Sequence, residues 1–140
     1  MNEALLKKLP HDVIINHIIP YTYQTQPLSL LRDIRSYTRE FRFVQDVYYT
    51  EYNPSVLLCD LIRFSNNDGV APIYGIEYKY ELLLRRNYVL SSKCKTYIIQ
   101  YVFQNIHGKL QYKTENKIKF LWGLFTSQER LNFIDEYILL

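Results

Sequence analysis

Four arginines recur in the sequence at a spacing that a helix would gather on one side. Arg32, Arg35, Arg39 and Arg42 follow steps of three, four and three residues. At about 100° per residue these four side chains fall within an arc of about 80°. Guanidinium groups on one face can grip phosphates or the carboxylates of an acidic protein. The solvated side of an ordinary amphipathic helix has the same composition, so both interpretations of the arginine row stay open.

Other kinds of chemistry find few residues in a suitable pattern. A phosphate-binding loop requires clustered glycines, and the four glycines of this chain are scattered. His11 and His17 are six residues apart and would diverge on a helix, so the sequence predicts no metal site. His107 and Cys94 could form a base and a nucleophile, but no sequence motif pairs them. We therefore predict no catalytic residues, no cofactor and no enzymatic activity.

The composition is that of an ordinary globular domain with many tyrosines. The chain has 140 residues, a net charge of +3 and 14 Tyr. This charge is small for a protein that coats nucleic acid. Cys59 and Cys94 are far apart and have apolar neighbours, so we expect buried free thiols in a reducing compartment. The apolar runs are too short to span a membrane, which requires about 20 residues.

Hydrophobic periodicity predicts the helix that would carry the arginine row. Steps of three and four residues align an apolar stripe that predicts a helix from Pro27 to about Tyr49. The members of the stripe are Leu30, Leu31, Ile34, Tyr37, Phe41, Val44 and Tyr48. The stripe lies opposite the arginines and predicts that Ile34 is buried. We therefore expect Ile34→Asp to place an unpaired charge in the core.

The same periodicity, with local capping motifs, predicts the remaining elements. A helix is predicted over each of the ranges His11–Ile19, Pro54–Ile62, Ser92–Asn105 and Thr114–Phe125. Asn53 is a predicted N-cap, Ser65–Gly69 a turn, and Thr126 with Glu129 a capping box that opens a final helix. In the region 70–90 the alternation of Ile76, Tyr78 and Tyr80 is typical of a strand. We predict a helix over Glu77–Tyr88 instead, because Leu82–Arg86 favours one.

Together these elements predict one all-α domain over residues 1–140. We expect a single compact domain of about six or seven helices with one long central helix. No repeat, linker or low-complexity segment divides the chain.

The run Leu9-Pro10-His11-Asp12-Val13-Ile14-Ile15-Asn16-His17-Ile18-Ile19 resembles the start of an F-box. In that family a Leu-Pro pair opens a short helix, and a Leu-rich second helix packs on it. In this chain the expected position of the second helix is occupied by Leu28, Leu30, Leu31 and Ile34. The chain departs from the family in its long loop over Tyr21–Gln26. Phe41-Arg42-Phe43 also replaces the tryptophan that is usual near the end of the module.

The resemblance to an F-box implies a division of the chain and a partner. Residues 1–49 would form the F-box-like N-terminal part, and residues 50–140 a helical remainder. F-boxes dock on the adaptor subunit of cullin-type ubiquitin ligases, so the resemblance implies a protein-binding surface. Its candidate residues are Leu9, Pro10, Val13, Ile14, Ile18, Leu30 and Leu31.

Three longer strings resemble those of short proteins from giant nucleocytoplasmic large DNA viruses. They are Ile18-Ile19-Pro20-Tyr21-Thr22-Tyr23-Gln24, Leu30-Leu31-Arg32-Asp33-Ile34-Arg35-Ser36-Tyr37 and Phe120-Leu121-Trp122-Gly123-Leu124-Phe125-Thr126-Ser127-Gln128-Glu129-Arg130. This resemblance implies a protein of the host cytoplasm or of the virion interior.

The sequence therefore supports three functional hypotheses. The first is a non-enzymatic protein-interaction module, such as an F-box-like adaptor. The second is a small virion structural or assembly protein that forms a homo-oligomer or binds another virion protein. The third is a weak, sequence-independent nucleic-acid binder that uses the arginine row.

Overall fold

The computed structural model describes residues 10–13, 27–108 and 113–139. The chain divides into two compact units, Met1–Arg32 and Asp33–Leu140. Throughout the described residues the regular elements are helices, which confirms the predicted all-α class. This part of the chain contains seven α-helices of four residues or more, in agreement with the predicted number. The organisation of the chain as one domain stays a prediction.

Helix α1 is the long helix that the sequence predicts. It covers Leu28–Glu51 and is 24 residues long, which confirms the helix predicted over Pro27–Tyr49. A helical turn at His11–Val13 is the described part of the helix predicted over His11–Ile19. The remainder of that helix lies outside the described residues.

The buried face of α1 differs from the predicted apolar stripe towards the start of the helix, where Leu30 is 42 % exposed. Phe41, Val44 and Tyr48 lie in the core as predicted, but Ile34 is 50 % exposed. At 100° per residue Tyr37 points about 20° away from the direction of Val44, whereas Ile34 points about 80° away. Ile34 therefore stands at the edge of the buried arc. The prediction that Ile34→Asp puts a charge in the core is wrong.

Helix α2, Pro54–Ser65, begins at the predicted cap. The side-chain oxygen of Asn53 accepts hydrogen bonds from the backbone N–H groups of Ser55 at 2.9 Å and Val56 at 3.2 Å. Pro54 stands in the first turn, where a missing amide donor has no consequence. The helix contributes Leu57, Leu61, Ile62 and Phe64 to the core.

The segment after α2 folds around the buried side chain of Asn66. The Asn66 amide nitrogen donates to the carbonyls of Gly69 at 3.1 Å and Gly75 at 2.9 Å. Its oxygen accepts from the backbone N–H of Glu77 at 2.6 Å. Gly75 has a φ of 79°, which favours glycine. These contacts hold a short helix, α3 (Ala71–Tyr74), that no pattern in the sequence predicts.

Helix α4, Tyr78–Leu84, confirms a helix in the region 70–90 and excludes the strand alternative there. It ends four residues before the predicted Tyr88. The reason is a tight turn in which the Asn87 side-chain oxygen accepts hydrogen bonds from the backbone N–H groups of Val89 and Leu90. A 3₁₀ turn, Leu90–Ser92, follows.

Helix α5, Lys95–Tyr101, continues as a π-helix over Val102–His107. The prediction of a helix over Ser92–Asn105 is therefore right in kind, although the change of register was not predicted. Gly108 ends the π-helix at a position where a Cβ atom would lie 2.6 Å from the carbonyl oxygen of Phe103. Glycine has no Cβ atom to meet this carbonyl, which lies five residues earlier in the same helix.

Helices α6 (Thr114–Leu124) and α7 (Ser127–Tyr137) complete the described chain. The predicted capping box between them is present. The backbone N–H of Glu129 donates to the Thr126 hydroxyl at 3.2 Å, and the backbone N–H of Thr126 donates to the Glu129 carboxylate at 2.8 Å. These reciprocal bonds satisfy two donors at the start of α7.

Aromatic rings from four helices form the centre of the core. Trp122 of α6 contacts Phe41, Phe125 and Phe133, with ring centroids 5.9 to 6.0 Å apart. Phe64 of α2 meets Phe133 edge to face at 5.5 Å. Such pairs stabilise a core beyond their buried area.

A buried arginine joins α7 to α1 and α6. Arg130 is 0 % exposed, and its guanidinium donates to the carboxylate of Asp33 at 2.8 Å, the carbonyl of Asp33 at 3.1 Å and the carbonyl of Trp122 at 3.3 Å. Among the residues that the structure describes, its Nη2 atom has no hydrogen-bond partner. The guanidinium also lies 5.4 Å from the Tyr37 ring centroid, so ring contacts replace part of its lost hydration.

Candidate functional site

A cluster of exposed apolar side chains marks helices α3 and α4. Ile73, Tyr74 and Tyr78 are 73 %, 72 % and 70 % exposed, and Leu82 is 45 % exposed. Single exposed apolar residues are ordinary, but four large ones within ten residues of chain form a local concentration. Tyr78 and Leu82 are one helical turn apart, so they share a face of α4.

That face of α4 borders a groove of about 350 Å³. The side chains of Phe64, Leu83 and Phe125 give the groove apolar walls, and Tyr78 and Leu82 extend these walls towards solvent. This volume is within the range of ligand-binding clefts. The groove therefore offers a concave apolar surface continuous with an exposed one.

The first charged side chain at the groove is satisfied within the protein. The Lys79 ammonium donates to the carbonyl of Phe64 at 3.0 Å and stands 4.6 Å from the centroid of the Phe64 ring. The carbonyl and the aromatic face together replace most of the favourable interaction that the ammonium would gain from a binding partner.

A second pair of charges at the groove neutralise each other. Arg86 forms a two-pronged ion pair with Glu129, with distances of 2.6 and 2.9 Å, and donates to the carbonyl of Leu124 at 3.0 Å. Burial opposes ionisation of Glu129, but hydrogen bonds from Arg86 and Thr126 outweigh it and lower the pKa of this carboxyl below its usual range. Arg86 and Glu129 therefore satisfy each other at the edge of the groove.

The groove contains a hydroxyl, but its geometry is not that of a nucleophile. The Ser65 hydroxyl is buried and donates to the carbonyl of Leu61 at 2.7 Å. A nucleophilic hydroxyl must instead donate to a general base. The arrangement can bind an apolar side chain.

The arginine row lies on an exposed face of α1. Arg35, Arg39 and Arg42 are exposed in the second unit, and Arg32 is exposed at the end of the first. Arg39 pairs at 2.7 Å with the carboxylate of its neighbour, Glu40. Within the described residues, Arg35 and Arg42 form no ion pair. As far as the described ranges extend, the row therefore keeps the guanidinium groups of Arg35 and Arg42 unpaired and exposed.

The F-box-like contact set lies only partly within the described residues. Leu9, Ile14 and Ile18 are outside them, and so is the side chain of Val13. Pro10 is exposed, Leu30 is 42 % exposed, and Leu31 is half-buried. The contact set as a whole stays a prediction.

The predicted state of the cysteines is half right. Cys59 and Cys94 are free, but both are exposed rather than buried. Leu57 and Leu61 lie on the buried side of α2 and Cys59 does not, whereas Cys94 precedes α5 with a lysine on each side. Among the residues that the structure describes, no cluster of three or more His, Cys, Asp or Glu side chains could hold a metal ion. No helix in the described ranges is long and apolar enough to cross a membrane.

Sequence reasoning did not find the groove beside α4. Its walls come from α2, α4 and Phe125, which lies between α6 and α7. Phe64 and Phe125 are 61 positions apart in the sequence. The local indication was the alternation of Ile76, Tyr78 and Tyr80, which is typical of a strand. Only Tyr80 of these three is buried.

Comparisons of the chain with protein families, with curated proteins and with solved structures find no match.

Proposed function

We propose that this protein is a non-enzymatic protein-interaction module and that the groove beside α4 is its docking site. The observation that carries this proposal is the position of Tyr78 and Leu82, exposed apolar side chains that border a groove of about 350 Å³. Contiguous apolar surface next to a concavity is typical of protein interfaces, and tyrosine is enriched among the residues that dominate binding energy.

The occupant that fits this groove is a neutral apolar segment of another protein. Glu77, Lys79, Arg86 and Glu129 contribute two charges of each sign around the groove. Arg86 is paired with Glu129, and Lys79 with Phe64, so an acidic occupant would lose hydration without gaining a free counter-charge, and a basic one could reach only the exposed Glu77 among the described lining residues. A leucine or aromatic anchor would bury its area at no such cost.

Selection from a phage-displayed random peptide library tests this choice of occupant. We expect the enriched peptides to carry aromatic or aliphatic anchors and a net charge near zero. Replacing Tyr78 and Leu82 together by Ser should weaken a selected peptide by at least ~30-fold, the loss typical of two dominant contact residues. Fluorescence anisotropy with the labelled peptide measures this loss.

The matched control is Tyr52→Ser combined with Leu131→Ser. Tyr52 and Leu131 are exposed like the groove pair, but neither borders the groove. Peptide affinity should be unchanged in this control. Enrichment of strongly acidic or basic peptides would contradict the proposal, as would equal losses in the two double variants.

Among natural partners, the sequence favours a ubiquitin-ligase adaptor or a virion protein. The exposure of Pro10 and Leu30 supports an accessible adaptor-binding surface at the start of the chain. Leu30→Ser should abolish capture of a purified ligase adaptor if the F-box-like surface is used. Stoichiometric recovery of the protein from purified particles, with no adaptor bound, would favour the virion role instead.

A second candidate function is sequence-independent binding of phosphates by the arginine row. Arg35 and Arg42 favour it because they are exposed and form no ion pair within the described residues. Four phosphate contacts on duplex DNA imply a log–log salt slope of roughly −3.6. Arg35→Gln with Arg39→Gln should flatten this slope by roughly 2.

Filter binding with duplex DNA of two unrelated sequences measures the slope. Lys95→Gln with Lys119→Gln is the charge-matched control and should leave the slope unchanged, because both lysines are on other helices. No measurable binding at ~50 mM salt would leave the row as a solvated helix face or a surface for an acidic protein.

A further inference from the structure

A second cavity also borders the segment that follows α2. It has a volume of about 370 Å³, and α2, the start of α3, the π-helix and α6 contribute its walls. Most of its lining is apolar and comes from Leu58, Ile62, Val70, Ala71, Pro72 and Ile106. This volume equals that of roughly twelve water molecules, so a ligand of about ten non-hydrogen atoms would fit.

The local structure of two segments builds this cavity. Gly108 permits the π-helix, and the π-helix brings Ile106 and His107 to one wall. Asn66 holds the loop that carries Val70 and Ala71 on the other wall through its three hydrogen bonds. π-helical turns are rare in proteins and occur frequently at functional sites.

The nitrogen-bearing side chains that line the cavity are basic. Arg63, His107 and Lys117 line it, and none of its described lining residues is acidic. In the described part of the chain, neither Arg63 nor Lys117 forms an ion pair. Burial, followed by the nearby Lys117 ammonium, lowers the pKa of His107. An apolar cavity bordered by uncompensated positive charge attracts an anion with an apolar body.

From this cavity we infer a function beyond docking: it binds a small anionic amphiphile. The ligand class is a carboxylate or phosphate group on a short alkyl or aryl body. The body occupies the apolar lining, and the anionic group meets Arg63 and Lys117. The cavity lies apart from the docking groove, whose lining shares no residue with it.

Octanoate, octanol and octylammonium test this inference because they share an alkyl chain and differ in the charge of the head group. Titration followed by ¹H–¹⁵N NMR at pH 7.5 measures their dissociation constants with the unmodified protein. We expect octanoate to bind at least ~10-fold more tightly than octanol, and octylammonium more weakly than either. Shifted amide signals should include those of Cys59, Ile106 and Lys117.

Variants separate charge recognition from simple partition into an apolar space. Lys117→Gln and, independently, Arg63→Gln should reduce octanoate affinity towards that of octanol and leave octanol affinity unchanged. Lys119→Gln is the matched control, since it removes the same charge from α6 at an exposed position outside the cavity. Arg63 is also exposed, so its replacement leaves the core intact.

The two cysteines supply a second readout without any substitution. Cys59 lines the cavity and Cys94 does not, although both thiols are exposed. Octanoate should slow the reaction of Cys59 with a chromogenic disulfide reagent at least ~3-fold and leave Cys94 unaffected. Equal affinity for the three probes, unchanged octanoate binding in both charge variants, or equal protection of the two thiols would each overturn the inference.

Discussion

The groove beside α4 and the cavity beside α2 border the same segment, residues 66–77, but they treat charge in opposite ways. At the groove, Arg86 is paired with Glu129 and Lys79 rests on Phe64. At the cavity, Arg63 and Lys117 lie among apolar residues with no ion pair in the described chain. Both sites have an apolar floor of similar size. In our two proposals, the pairing of the charges around that floor, rather than its shape, distinguishes the ligand class of each site.

The largest expected effect comes from the residue on which both sites depend. Asn66→Ala leaves the carbonyls of Gly69 and Gly75 and the N–H of Glu77 without their partner. We expect a loss of about 3 kcal/mol in the free energy of unfolding, because buried polar groups become unsatisfied. Urea denaturation measures this loss.

Asn66→Ala should also weaken octanoate and the selected peptide together, since both sites use the same segment. Asn132→Ala is the control and should change stability by less than ~0.5 kcal/mol, because that side chain is exposed. Loss of binding at one site alone would show that the segment does not support both.

The next effect should separate the two sites. Gly108→Ala places a Cβ atom 2.6 Å from the Phe103 carbonyl, so the π-helix must shift. We expect a loss of about 2 kcal/mol, typical of forced overpacking, with octanoate affinity reduced and peptide affinity unchanged. Gly123→Ala is the control, because a Cβ there would be 3.8 Å from the Tyr37 ring, an ordinary contact. Unchanged octanoate binding in Gly108→Ala would contradict the proposal that the π-helix shapes the cavity.

The smallest effect is expected from Glu129→Gln, which should give the groove an unpaired positive charge like those of the cavity. Glu129→Gln leaves Arg86 without its carboxylate, so the groove should gain measurable affinity for octanoate. We expect stability at pH 7 to fall by about 1 kcal/mol, because a charge-assisted pair becomes a neutral contact. Thermal denaturation and NMR titration measure these two changes.

The stability difference between the protein and Glu129→Gln should depend on pH. The pKa of Glu129 is lowered in the folded state, because hydrogen bonds from Arg86 and Thr126 outweigh its burial. Its contribution is fully present above the unfolded value of about 4.3 and is lost as pH falls through the lower folded pKa. A difference that persists undiminished at pH 2 would show that the carboxylate charge is not its source.

Sequence reasoning succeeded where the determinants are local. The Asn53 cap, the Thr126 capping box and the period of α1 each depend on residues within a few positions, and each is confirmed. The error at Ile34 arose because steps of three and four residues drift around a helix. A stripe read from such steps can therefore leave the buried arc.

The sites themselves depend on contacts that no local pattern encodes. Arg130 is buried because Asp33, which is 97 positions away, supplies its counter-charge. The exposure of Cys59 and the walls of both sites likewise follow from how α2, α6 and the segment 66–77 pack. Of the predicted binding residues, the arginines of α1 could be placed on a face from sequence, because that face is a property of one helix.

One NMR experiment on a single ¹⁵N-labelled sample distinguishes the two sites directly. Octanoate is titrated first, and the peptide selected against the groove is added at octanoate saturation. We predict that octanoate shifts the amides around Cys59, His107 and Lys117, and that the peptide then shifts those around Tyr78, Leu82 and Arg86 without displacing octanoate. Displacement of octanoate by the peptide, or a common set of shifted amides, would contradict two sites that differ in the pairing of their charges.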